Sequence, residues 1–65
     1  MFELWAKKRR YPKYEYITSF EHEEQKYYMI DQLDRSIYSE AMIIKNQQCT
    51  MYREFEEPMV RRLKK

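Results

Sequence analysis

Glycine is missing altogether from this chain of 65 residues; proline occurs twice, and cysteine, histidine and tryptophan once each. Without glycine there is no Gly-rich loop able to cradle a phosphate. The single cysteine, Cys49, has no internal disulfide partner, which predicts a reducing, cytoplasmic setting. The single histidine, His22, lies among carboxylates with no second histidine or cysteine nearby. That spacing predicts a solvated or capping side chain rather than a metal ligand or triad member. No apolar run is long enough to span a bilayer. The stretch MFELWAKKRR places its apolar residues ahead of its cations and lacks the run of a signal peptide, so secretion is not expected.

Hydrophobic residues make up 43% of the chain and charged residues 37%, a balance that suits a folded domain better than a disordered tail. A chain this short has room for one small core and buries only about 60% of the surface its unfolded form exposes. The residue choice leans toward Phe, Tyr, Met, Ile, Asn and Lys, as translation of an AT-rich gene would produce. Such short, tyrosine-rich chains look like the accessory proteins of phages and mobile elements.

Phe2 to Lys8 alternates in the strand sense, with Phe2, Leu4 and Ala6 on one side and Glu3, Trp5 and Lys7 on the other. Tyr14 to Phe20 also alternates, which predicts a second strand with Tyr14, Tyr16, Thr18 and Phe20 on one face. Between them, RRYPK places Pro12 where it can fix a turn. From Glu21 the period changes. Tyr27, Ile30, Leu33 and Ile37 fall three and four apart, as on one stripe of a helix whose first turn holds Glu21, Glu23 and Glu24. EAMIIK (Glu40 to Lys45) and CTMYREF (Cys49 to Phe55) read as two more strands, turned at Asn46.

The expected fold is therefore α+β: a single ββαββ domain over residues 1–57, followed by a basic tail over 58–65. A right-handed crossover through the helix would set the second and third strands side by side and parallel, each with its hairpin partner on the outer edge. One helix covers one face of a four-stranded sheet, and the other face is left for a partner. The alternative, with no Gly or Pro between Lys13 and Glu57, is a mostly helical chain over Glu23 to Phe55.

Charge falls in blocks. Lys7, Lys8, Arg9, Arg10 and Lys13 outweigh Glu3 and Glu15 in the first twenty residues, Glu21 to Ile44 is acidic, and Lys45 to Lys65 is basic again. Within KKRRYPKYEY, Tyr11 and Tyr14 are interleaved with the cations and Tyr16 follows, residues that serve protein interfaces and also stack on bases. The candidate partner-binding residues are Trp5, Lys7, Lys8, Arg9, Arg10, Tyr11, Lys13, Tyr14 and Tyr16. Asp31 and Asp34, three apart, fit a charged solvent face rather than an acid/base pair. Cys49 is expected to be a small buried residue at a strand start.

The step YITSFEHEEQKYY, Tyr16 to Tyr28, resembles the strand-to-helix step of the arm-type DNA-binding domains of integrases, where a strand ending in Phe is followed by an acidic residue and a helix. That resemblance implies three strands ahead of the helix and an exposed sheet face that reads DNA. The present pattern has two such strands, and no base-reading residue carries over.

These readings predict a non-enzymatic protein with no cofactor and no metal. The expected function is that of a small protein-binding module, in its most concrete form a phage or mobile-element inhibitor or modulator of a host assembly. The alternative is a nucleic-acid binder using the basic, tyrosine-rich hairpin. A homodimer would supply burial that the monomer lacks.

Overall fold

A computed structural model describes residues 1–56; the basic tail expected over 58–65 lies outside the described residues. Four strands form one sheet: β1 (Phe2–Lys8), β2 (Tyr14–Phe20), β3 (Tyr38–Lys45) and β4 (Gln48–Glu54). Between β2 and β3 the chain makes a 3-10 turn at Glu23–Gln25 and a short helix, α1, at Lys26–Asp31. The ββαββ order and the α+β class stand, and the strands at Tyr38–Lys45 and Gln48–Glu54 replace the helical alternative.

The strand order is β2-β1-β3-β4 and every neighbouring pair is antiparallel. This corrects the expected arrangement with β2 beside β3. The two do run in the same direction, but β1 is inserted between them. Burial explains the choice. Phe2, Leu4 and Ala6 of β1 and Ala41 and Ile43 of β3 are all buried, so these strands gain most from a neighbour on each side. The more polar β2 and β4 take the edges.

The core lies on one face of the sheet. Phe2, Leu4, Ala6, Phe20, Ala41, Ile43 and Phe55 gather there, and Ile30 of α1, 1% exposed, closes it. The rings of Phe2 and Phe20 stack at 5.3 Å. The predicted helical stripe is only partly realised. Ile30 is buried and Leu33 packs against the core, whereas Tyr27 and Ile37 are exposed. The helix ends early because Asp34 draws the following backbone into a turn, its Oδ1 accepting hydrogen bonds from the Ser36 N–H (2.9 Å) and Oγ (2.6 Å).

Both hairpins turn without glycine by placing other residues at positive φ. Asn46 (53°) and Gln47 (65°) form the two-residue turn between β3 and β4, and Arg10 (68°) sits in the turn between β1 and β2. Asn tolerates that region; Gln and Arg carry the steric cost of a Cβ.

Candidate functional site

A register shift decides which side chains reach the open face. Trp5 pairs with Tyr16 and Leu4 with Thr18, so Ile17 is the extra residue of a bulge. The bulge breaks the expected common face of Tyr14, Tyr16, Thr18 and Phe20. Phe20 remains in the core, while Tyr14 and Tyr16 are carried to the opposite side, beside Lys7 and Trp5.

The open face consequently has an ordered grid. Its central row crosses all four strands as Tyr16, Trp5, Met42 and Tyr52, each the register partner of the next. Trp5 and Tyr16 meet edge to face, with centroids 5.7 Å apart and planes at 73°. The outer members, Tyr16 and Tyr52, are each 52% exposed, while Trp5 and Met42 are half-buried by their neighbours. A continuous apolar strip thus runs across the sheet at right angles to its strands.

Polar rows flank the strip. On one side stand Tyr14, Lys7, Glu40 and Glu54, again in register. The Tyr14 hydroxyl reaches over Lys7 to donate a 2.5 Å hydrogen bond to Glu40 Oε1, and Lys7 Nζ lies 3.9 Å from Glu40 Oε2. Burial, this hydrogen bond and the adjacent carboxylate raise the Tyr14 phenol above its ordinary value. Partial desolvation, followed by the charges of Glu40 and Glu54, also raises that of Tyr52. On the other side stand Ser19, Glu3, Ile44 and Cys49. Glu3 Oε1 accepts the Trp5 indole N–H at 3.0 Å, and the Tyr16 and Ser19 hydroxyls share a hydrogen bond at 2.6 Å. Cys49 is exposed, contrary to the expected buried role, because it lies beside the β3–β4 turn on edge strand β4, where residues 45–50 are all exposed.

The grid carries three carboxylates, Glu3, Glu40 and Glu54, against the single lysine Lys7. The other cations of the basic loop lie elsewhere. Lys8 Nζ is 3.9 Å from Glu15 Oε2 and 5.6 Å from the Tyr11 ring centroid. Arg9 has a structural role: its Nε and Nη2 donate to Arg35 O at 3.1 and 2.8 Å, and Nη2 also donates to Phe55 O at 2.9 Å. Arg10, Tyr11 and Lys13 are exposed on the connecting loop. The nine sequence candidates therefore divide into Trp5, Lys7, Tyr14 and Tyr16 on the open face and Lys8, Arg9, Arg10, Tyr11 and Lys13 around the hairpin end.

Met42, Tyr52, Glu40 and Glu54 complete the open face and were not among those candidates. Their alternation along β3 and β4 is visible in the sequence, but their alignment with Trp5 depends on β1 pairing with β3. His22 is exposed, and its backbone N–H donates to Gln25 Oε1 at 3.1 Å. Among the described residues no cluster of His, Cys, Asp or Glu could hold a metal ion, and no helix is long and apolar enough to cross a membrane. Comparison with protein-family models, curated proteins and solved structures gave no match.

Proposed function

We propose that this chain is a non-catalytic protein-binding module that docks through the open face of its sheet, and that its partner presents cationic side chains around an apolar centre. The supporting observation is the Tyr16–Trp5–Met42–Tyr52 row flanked by Glu3 on one side and Glu40 and Glu54 on the other. Aromatic rings bury large area at low conformational cost, and Trp and Tyr are enriched among the residues that dominate binding energy. An Arg or Lys of the partner would meet a ring face and a carboxylate in adjacent rows. Such binding modulates or blocks a partner assembly without chemistry of its own, and it suits a cytoplasmic protein with a free thiol.

The same charge pattern disfavours two alternatives on this face. Phosphates would meet three carboxylates, and a second copy stacked face to face would bring like charges together. Self-association would instead use the edges β2 and β4.

The test is affinity capture from the native cell with wild-type protein and the Trp5→Ala and Tyr52→Ala variants, followed by reconstitution with the purified captured protein. The expected partner has a basic contact surface and binds each variant at least roughly tenfold more weakly, the effect of losing a central aromatic anchor. Recovery of nucleic acid alone, or equal binding by all three forms, would overturn the reading.

A further inference from the structure

A second surface lies at the end of the sheet where the β1–β2 hairpin turns. There a groove of about 570 Å³ is lined by Lys7, Lys8, Arg9 and Arg10, by Tyr11, and by Ser36, Ile37, Ser39 and Glu40 of the segment entering β3. We propose that this groove binds an acidic peptide segment, with carboxylate side chains facing the cations and an apolar residue against Ile37 and Tyr11. This groove adjoins the open face, sharing Lys7 and Glu40 with its polar edge, but does not depend on the function proposed for that face.

The balance of charge in the groove is positive and partly fixed in place. Three hydrogen bonds to neutral carbonyls hold the Arg9 guanidinium, so it is immobilised without being neutralised. The distances from Lys7 to Glu40 and from Lys8 to Glu15 are both 3.9 Å, too long for close charge-assisted bonds and partly exposed to water. Glu40, the one lining carboxylate among the described residues, already accepts the Tyr14 hydroxyl. Arg10 holds a left-handed φ of 68° in a loop with no glycine, a strained conformation of the kind that clusters at binding sites.

The groove also has an apolar component. Ile37 is 45% exposed and Tyr11 55% exposed, although the helical stripe in the sequence would have buried the first of these. An aliphatic side chain offers nothing to the polar edge of a base. Lys8 Nζ already sits over the Tyr11 ring at 5.6 Å, which occupies a face that a base would need for stacking. Anionic charge next to an aliphatic residue is the pattern of an acidic peptide. A single nucleic-acid strand would present phosphates next to flat rings.

The experiment is fluorescence anisotropy on the full chain at low salt, with a labelled peptide of sequence DELED, its neutral counterpart NQLQN and a labelled pentathymidylate. The proposal expects DELED to bind with an affinity that falls as salt rises, and NQLQN and the oligonucleotide to bind at least roughly tenfold more weakly. Arg10→Glu, on an exposed loop, is expected to weaken DELED at least roughly tenfold, whereas Tyr28→Ala, exposed on α1 and outside the groove, leaves it unchanged. A thermal melt of each variant separates loss of binding from loss of fold, and Lys8→Gln supplies a second reading should Arg10→Glu unfold. Equal binding of DELED and NQLQN, tighter binding of the oligonucleotide, or indifference of DELED to both charge variants would overturn the proposal.

Discussion

Tyr14 and Asp34 show how single side chains couple this fold to pH. The folded state holds Tyr14 protonated to a higher pH than the unfolded chain does, through burial and its bond to Glu40. The resulting stability is complete below the unfolded tyrosine value of about 10 and is lost as pH rises through the higher folded value. Tyr14→Phe should therefore lower stability at neutral pH and flatten the alkaline decline, as read by urea midpoints measured across that range. Asp34 has the opposite sign. The Ser36 hydroxyl and N–H lower its carboxyl, so its contribution is present above the unfolded aspartate value and fades as pH falls through the folded one. Ser36→Ala should return the carboxyl toward its ordinary value in a carbon-detected NMR titration. Arg9 makes a third case. Arg9→Ala leaves the Arg35 and Phe55 carbonyls without their donor and should cost about 1–2 kcal/mol in chemical denaturation.

At the scale of elements, the alternation of Phe2, Leu4 and Ala6 was enough to place β1 and its inner face, and Asn46 was enough to place the second hairpin turn. Strands announce themselves through period two, which is local information. The order of strands and the bulge at Ile17 are not local. The order depends on which strands gain most from central burial, and the bulge moves Tyr14 and Tyr16 away from the face that simple alternation gives them. α1 is shorter than the stripe predicts for a related reason: the three-and-four spacing continues to Ile37, but the side-chain bonds of Asp34 claim the backbone first. Turn chemistry yields its own prediction. Gln47 occupies a positive-φ position that glycine adopts without strain, so Gln47→Gly should stabilise the domain by about 0.5–1 kcal/mol, measured as a shift in the thermal or urea midpoint. Ile30 is the main anchor of α1 to the sheet, and Ile30→Ala should cost about 2–5 kcal/mol. For a domain this small, that loss approaches the whole of its stability.

For the whole molecule, the structure sorts the charge blocks of the sequence into separate surfaces. The cations of KKRRYPKYEY keep only Tyr11 beside them in the groove at the hairpin end, while Tyr14 and Tyr16 go to the open face. Lys7 joins the open face, where carboxylates outnumber it, Arg9 is tied to backbone carbonyls, and Lys8 and Arg10 line the groove at the hairpin end. Only the pairing of β1 with β3 assembles the aromatic row and its acidic flanks, so the face could be anticipated from the sequence but its composition could not. The proposed docking through that face is tested most directly by site-specific photo-crosslinking in the native cell, with the photoreactive residue at Tyr52 on the open face or at exposed Tyr28 in α1. Docking through the open face predicts a discrete protein adduct from position 52 that Trp5→Ala suppresses, and none from position 28. Adducts from position 28 alone, or nucleic acid as the species captured at position 52, would contradict it.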